Sequence, residues 1–397
     1  MPRRAFSILF VSLTSIGIGQ SMLFAVLPPA ARELGVTPFK LATIFATSAT
    51  IWVFVSPWWG RRSDATARRP IILIGLLGYA LSMGLVATTL SAGLAGILAV
   101  GLIHPLLIAS RCVFALLGSG TGPAAQGYVA DRTTPAQRAA GMALMSASMG
   151  FGETIGPALA AALAGFGLTA PIYVASALAV ASALLVWAKL PEDPHTRRTV
   201  DRRAPRMRVS DGRVTPFIII GTCLQAVRAT TVITLALYFG DMLSLSGTGA
   251  ARLAGLGFVT LAVGGLVAQL GIVQRIRPRA RTMIRTGTPL MLLAFVLLSV
   301  PGRVELWFVA LAVLGLGLGL VRPGIAAAVS LSVSADEQGS AAGLLSGFAV
   351  IGNVVGPLLG TAIYEYAPVG AHLLNATIMV AATVYALTSR RIGAIPT

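Results

Sequence analysis

The sequence predicts an all-α membrane protein whose twelve transmembrane helices form two pseudo-symmetric bundles of six. Three observations lead to this fold class: the composition, the length of the apolar runs and a repeat between the two halves. Of the 397 residues, 56% are hydrophobic and 11% are charged, and the mean hydropathy is +0.84. Soluble globular chains contain roughly 25% charged residues. This composition excludes an ordinary soluble domain.

The apolar runs have the length of membrane spans, because a bilayer core requires about 20 mostly apolar residues per helix. Ten-residue segments of alternating hydrophobicity do not occur, which argues against a transmembrane barrel. Arg3 and Arg4 precede the first run as in a signal peptide, but its span length predicts an uncleaved first helix. The twelve predicted spans are 6–27, 41–60, 70–90, 96–126, 139–165, 169–188, 215–239, 251–273, 284–300, 305–328, 340–362 and 369–388.

The chain divides into two halves at its longest polar segment, 190–214, which is rich in Arg and Pro. We interpret this segment as a cytoplasmic linker between an N-terminal bundle, 1–189, and a C-terminal bundle, 215–397. A short pattern supports the division because it recurs after 200 positions. Gly152, Gly156 and Pro157 return as Gly352, Gly356 and Pro357. Two related bundles of this kind are typical of transporters that alternate access to a central site.

The net charge of +17 lies mainly in alternate loops. Cytoplasmic loops retain Lys and Arg, so the clusters at 189–213 and 275–285 predict a cytoplasmic location for both termini. This asymmetry explains the basic character without a nucleic-acid partner. Cys112 and Cys223 lie in apolar runs without metal-like spacing, and we expect neither a disulfide nor a metal site. The predicted outer face contains only four cations: Arg32, Lys40, Arg252 and Arg303.

The loop after the second helix contains Gly60, Asp64, Arg68 and Arg69. An acid at this helix end can accept hydrogen bonds from arginines or from a neighbouring helix N-terminus and close the cytoplasmic side. A plain basic inside loop is the alternative. The spacing of these four residues resembles the signature of the major facilitator superfamily, and the resemblance implies a role in conformational gating.

The fourth helix contains Arg111 inside an apolar run. A cation near mid-membrane costs about 2.5–3.5 kcal/mol on insertion scales, so it normally faces a partner or a watery cavity. The segment from Arg111 to Asp131 is similar to the family's helix 4 motif. The resemblance links Arg111 to proton movement and places Asp131 among the gating residues. Satisfaction of Arg111 by backbone carbonyls is the alternative.

The fifth helix contains Gly152, Gly156 and Pro157, a combination that permits close and bendable helix contacts. It resembles the motif of the family's antiporter branch, which implies export. Glu153 is the acid predicted deep in a helix of this half. Apolar surroundings would raise its pKa into a range where it loads and releases protons, and we expect it to face an aqueous cleft together with Arg111. A permanently protonated, hydrogen-bonded Glu153 is the alternative.

Other polar and aromatic residues of the apolar runs could contact a substrate, although aromatic residues in membrane helices more often pack against lipid or protein. The candidate substrate-cavity residues are Gln20, Phe24, Phe114, Gln126, Gln225, Arg228, Tyr238, Arg322 and Asn353.

The sequence contains no nucleotide-binding loop of the form G-x-x-x-x-G-K-[ST], so we expect an ion gradient rather than ATP to supply energy, and no cofactor. The resemblance implies a proton-coupled antiporter in the bacterial inner membrane, functional as a monomer, that exports amphipathic drug-like molecules or secreted metabolites, as in multidrug resistance. An uptake permease for a nutrient and a dedicated siderophore exporter remain alternatives. An enzyme is not expected, because no Ser/His/Asp set or metal-ligand set occurs.

Overall fold

The computed structural model of the chain describes residues 3–133, 135–191, 207–334 and 337–393. The predicted all-helical fold is confirmed, since the regular structure in these ranges is helical throughout. Each predicted span overlaps one long helix, numbered here α1–α12, although the spans 96–126, 169–188 and 369–388 begin before their helices and the spans 139–165 and 284–300 end after theirs. The helices of the first half are α1 Arg3–Glu33, α2 Pro38–Ala65, α3 Arg68–Leu94, α4 Val100–Asp131, α5 Pro135–Leu163 and α6 Ala170–Lys189. Those of the second half are α7 Thr215–Leu243, α8 Gly247–Ile276, α9 Ala280–Leu298, α10 Val304–Ser332, α11 Gln338–Tyr366 and α12 Gly370–Thr388.

Within the described residues, eleven of these helices are each long and apolar enough to cross a membrane. The other one is α5, whose 29 residues extend about 43 Å at 1.5 Å per residue. This length exceeds the roughly 30 Å of a bilayer core. The chain is therefore a multi-pass membrane protein.

Local sequence explains where α2 begins, and two other helices change geometry along their length. Thr37 is the N-cap of α2, with its Oγ1 accepting a hydrogen bond from Lys40 N at 3.3 Å, and Pro38 occupies the first turn, where its missing N–H costs nothing. A 3₁₀ turn at Gly118–Gly120 interrupts α4. A π turn at Val267–Val273 interrupts α8.

The chain forms two compact units, Met1–Thr199 with Leu245–Leu256, and Val200–Ser244 with Gly257–Thr397. The segment Leu245–Leu256, which contains the start of α8, belongs to the first unit although it follows the start of the second unit in the chain. Two contacts explain this assignment. Glu33 Oε1 accepts a hydrogen bond from Gly247 N at 2.8 Å, and Gly255 lies so near α5 that a Cβ there would be 2.8 Å from Pro157 O. Most of the predicted linker, residues 192–206, lies outside the described ranges.

The helices pack in the same pattern inside each unit. In the first unit, α1 packs against α5 and α6, and α3 packs against α4 and α6. In the second unit, α7 packs against α11 and α12, and α9 packs against α10 and α12. Each helix of the second set follows its counterpart by six helices. The predicted pseudo-symmetry of the two bundles is therefore confirmed.

The repeated glycines mark the equivalent helix contact in each unit. Thr14 Oγ1 donates to Ser148 O at 3.1 Å between α1 and α5, and Thr222 Oγ1 donates to Phe348 O at 3.4 Å between α7 and α11. A Cβ on Gly152 would lie 2.4 Å from Thr14 O, and a Cβ on Gly352 would lie 2.4 Å from Thr222 O. Small residues are needed at both places because the helix backbones approach closely.

Candidate functional site

Arg111 lies inside the first unit, where its residue is only 3% exposed. Its helix is joined to α2 by a hydrogen bond from Ser48 Oγ to Arg111 O at 3.3 Å. The guanidinium carbon lies 4.9 Å from the ring centroid of Phe114 and 5.8 Å from that of Phe45. These distances are within the range of cation–π attraction. Aromatic rings from α2 and α4 therefore hold the cation.

Further rings extend this arrangement. The Trp52 and Tyr79 rings lie 5.1 and 4.9 Å from that of Phe114. Gly118, at the start of the 3₁₀ turn of α4, makes room for Phe114, because a Cβ there would lie 2.3 Å from its ring. The Phe24 ring is 5.1 Å from that of Phe45. We call this set the Arg111 cluster; its members are Arg111, Phe24, Phe45, Trp52, Tyr79 and Phe114.

Several polar atoms of the first unit are buried without a hydrogen bond. Neither Nε nor Nη1 of Arg111 has a partner among the residues that the structure describes. The alternative in which backbone carbonyls satisfy these two donors is therefore wrong for this structure. Gln20 Oε1 and Thr121 Oγ1 also lack partners within the described ranges. Burial of unpaired polar groups is costly, and such groups mark candidate functional positions.

Glu153 on α5 is exposed on the surface of the chain. The tight contacts of α5 with α1 run through Gly152 and Gly156 and leave Glu153 on another face, and its expected position beside an aqueous cleft stays a prediction. In the described structure no ion pair joins Glu153 to Arg111. The proton-coupling role of this pair stays a prediction.

The predicted gating residues meet at one end of the first unit. Arg68 Nε donates to Asp131 Oδ2 at 3.0 Å, and its Nη1 donates to Ser63 Oγ at 2.8 Å. Gly127 leaves the space for this arginine, since a Cβ there would lie 2.4 Å from its Cζ. The Arg69 guanidinium donates to Trp187 O. These contacts join α3 to the end of α4 and to the end of α6.

Two further residues, Gly60 and Asp64, were predicted to take part in gating. Gly60 lies in α2, where a Cβ would be 3.7 Å from Pro123 Cβ, an ordinary contact distance. The Asp64 side chain is outside what the structure describes, so its predicted contact with arginines or a helix N-terminus stays a prediction.

The predicted substrate-cavity residues are divided between the two units. Phe114 is buried in the Arg111 cluster, whereas Gln126 and Arg322 are exposed. The half-buried members are Gln20, Phe24, Gln225, Arg228 and Asn353.

Tyr238 is a core residue of the second unit. It is fully buried, its hydroxyl donates to Leu298 O at 2.8 Å, and its ring lies 4.9 Å from that of Trp307 and 4.4 Å from that of His372. The prediction that Tyr238 lines a substrate cavity is wrong for this structure, because protein surrounds it on every side.

An ion-pair network near the start of α7 was missed by the sequence reasoning. Arg213 Nη2 lies 2.8 Å from Asp211 Oδ2 and 2.8 Å from Glu337 Oε1. Hydrogen bonds from Arg213 lower the pKa of Asp211 and, together with the Ser334 backbone N–H, lower the pKa of Glu337 to about 2. No sequence pattern joins these residues, because they come together only when α7 packs against α11.

Two related helical bundles with a cation held inside apolar helices define a membrane transport protein. The sequence model of the Major Facilitator Superfamily matches residues 9–302 and 217–394. The chain belongs to this family. Its members are transporters, so the expectation that the protein is not an enzyme is confirmed.

Similar proteins extend over most of the chain. The class C tetracycline resistance protein of Escherichia coli is 29% identical over 373 residues, covering 89% of this chain and 87% of that protein. The quinolone resistance protein NorA of Staphylococcus aureus strain COL is 24% identical over 366 residues, covering 90% of this chain and 89% of that protein. The crystal structure of the nucleoside transporter NupG matches with a TM-score of 0.74 at 13% identity, covering 96% of this chain and 99% of that chain.

Proposed function

We propose that this transporter is a proton-coupled exporter of small amphipathic drug-like molecules. The observation that carries the proposal is the near full-length similarity to two resistance proteins, for tetracycline and for quinolones. Gly152, Gly156 and Pro157 support it because they match the family's antiporter motif, and the contacts of Gly152 and Gly156 make α5 and α1 a tight pair.

Glu153 is the proposed proton carrier. A carboxyl can load and release a proton only where it meets water, and an ionisable group in a membrane helix that faces lipid is costly. The exposure of Glu153 on α5 therefore fits an aqueous path along that face of the helix. Arg111 is the proposed electrostatic partner in coupling. Its charge disfavours a second cation nearby and favours the ionised form of an acid.

Flux measurements in inside-out membrane vesicles test the proposal. With an imposed proton gradient, we expect tetracycline or norfloxacin to accumulate in the vesicles and each addition of drug to release protons from them. Glu153→Gln should remove this proton release while the purified variant elutes and unfolds like the wild type. Glu305→Gln is the matched control, because Glu305 is an exposed acid in the first turn of α10 and should leave both fluxes unchanged.

The direction of the two fluxes separates export from uptake. Parallel movement of protons and cargo would contradict antiport and favour the uptake permease. Undiminished proton release in Glu153→Gln would contradict the role of that carboxyl while leaving export intact.

The proposed location is the bacterial inner membrane with both termini in the cytoplasm. The support is the concentration of Lys and Arg in alternate loops. Labelling of single cysteines with a membrane-impermeant maleimide tests it. Cysteines introduced at Arg303 should react in intact cells, and cysteines introduced at Arg390 should react only after lysis.

A further inference from the structure

We propose that the Arg111 cluster binds an aromatic ligand through an anionic group, so that the cargo of this transporter combines a ring with a carboxylate or a similar oxyanion. The inference rests on the proposed function, since it names the substrate class of the exporter. It concerns the first unit alone.

Arg111 is a buried cation. Arginine remains charged in proteins, and only 3% of the Arg111 residue is exposed. Its Nε and Nη1 donors have no acceptor in the described part of the chain. A buried charge without a partner is costly and is retained where it has a use. An anion arriving at these donors would supply the missing acceptors.

The Arg111 guanidinium contacts aromatic rings while two of its donors have no acceptor among the described residues. Phe114 and Phe45 hold the guanidinium through cation–π contacts at 4.9 and 5.8 Å. Beside these rings, Nε and Nη1 remain without a hydrogen-bond acceptor in the described part of the chain. A charged guanidinium donor forms its strongest hydrogen bonds with an ionised oxygen, such as that of a carboxylate or phosphate. The buried cation therefore favours an oxyanion over a neutral carbonyl.

The Arg111 cluster contains both buried and half-buried rings. Phe24 and Trp52 are half-buried, whereas Phe45, Tyr79 and Phe114 are buried. The two accessible rings each lie 5.1 Å from one of the rings beside the guanidinium. Aromatic rings favour offset or edge-to-face contact with another ring. A ligand ring placed on Phe24 or Trp52 would bring an attached carboxylate towards Arg111.

The second unit has no cation at the position equivalent to Arg111. Gly75 on α3 faces Thr121 on α4, and Gly287 on α9 faces Val321 on α10 in the equivalent helix contact. Thr121 and Val321 occupy equivalent positions in the two halves. The same sequence spacing makes Leu311, which is fully buried, the equivalent of Arg111. A buried leucine thus takes the equivalent position in the second unit, and the helix packing there does not require a cation.

A pair of ligands that differ only in charge tests the proposal. Binding of 2-naphthoate and of neutral 2-naphthamide to the purified full-length protein in nanodiscs would be measured by competition against radiolabelled 2-naphthoate. We expect the wild type to prefer 2-naphthoate by at least about tenfold, the lower end expected for hydrogen bonds to a charged group. Arg111→Gln should bind the two ligands equally. Arg111→Lys, which keeps the charge but changes the positions of the donors, should retain part of the preference.

Arg303→Gln is the matched control, because Arg303 is exposed at the N-cap of α10 and should keep the full preference. Equal binding of the two ligands to the wild type, no saturable binding of 2-naphthoate, or an undiminished preference in Arg111→Gln would each overturn the inference. If Arg111→Gln does not fold, the same criterion applies to Arg111→Lys.

The drug fluxes in vesicles separate this inference from the proposed function. Export of tetracycline or norfloxacin without any preference for 2-naphthoate would remove the inference alone. An Arg111-dependent preference without proton-coupled export would support the site and remove the exporter proposal alone.

Discussion

Close packing between α1 and α5 should make Gly152 intolerant of even one methyl group. In Gly152→Ala the new Cβ would lie 2.4 Å from Thr14 O, 2.7 Å from Ile18 N and 2.9 Å from Gly17 Cα, whereas real Cβ contacts essentially never fall below 3.0 Å. The helix α1 must therefore move by about 0.6 Å at Thr14 O. All three atoms are backbone, so no side-chain rotation relieves the contact.

Overpacking of this kind costs about 1–3 kcal/mol. Gly150→Ala is the matched control on the same helix, because a Cβ there meets nothing within 4 Å. Both substitutions gain similar helix propensity, and their difference isolates the contact. We expect Gly152→Ala to unfold several degrees below Gly150→Ala when the purified proteins are heated at one scan rate and followed by intrinsic fluorescence.

The second unit provides an independent copy of the experiment. A Cβ on Gly352 would lie 2.4 Å from Thr222 O but 3.0 Å from its next neighbours, and Gly347 is the open control on α11. Gly352→Ala should therefore destabilise less than Gly152→Ala and more than Gly347→Ala. Equal melting of Gly152→Ala and Gly150→Ala would refute the reasoning, since the close backbone approach would then not exist in the protein.

Three further predictions concern single interactions. Tyr238→Phe leaves Leu298 O without its 2.8 Å donor, and we expect a loss of about 1–3 kcal/mol in stability, measured by thermal unfolding; unchanged melting would contradict the bond. Asp131→Asn removes the charge that faces Arg68 at 3.0 Å; because this pair is partly exposed, we expect little change in melting but slower drug accumulation in vesicles, and a normal rate would argue against gating. Glu337 has a pKa lowered from 4.5 to about 2, so its stabilisation is complete above pH 4.5 and is lost as pH falls towards 2. The melting difference between wild type and Glu337→Gln should therefore be largest at neutral pH and shrink in acid, and a difference that grows in acid would contradict the ion pair.

Most of the fold could be predicted from the sequence because its signal is local. A run of about 20 apolar residues must satisfy its backbone hydrogen bonds internally, so each run becomes a helix wherever it lies in the chain. The glycine pattern at 152 and 352 also carried tertiary information, since a missing side chain at helical spacing already implies a close neighbour. Arg68 and Asp131 were predicted as gating residues, and the structure joins them directly.

Other parts of the site could not be predicted, because they depend on which helix faces meet. Glu153 stands one position from Gly152, and only the packing of α5 on α1 shows that its side chain is exposed. Tyr238 was predicted as a substrate contact from its residue type, yet Trp307 and His372 enclose it. The network of Arg213 and Glu337 joins residues 124 positions apart. No local pattern marks such a pair.

The sequence by itself determined the twelve membrane helices, their grouping into two related halves and the rarity of charge inside them, because apolar length and composition act on each segment separately. Only the tertiary structure decided that the rings of Phe45 and Phe114 lie beside the Arg111 guanidinium and that the segment Leu245–Leu256 joins the first unit. The physical reason is that burial, pairing and exposure of a side chain depend on atoms from distant segments. Those atoms come into range only when the helices pack.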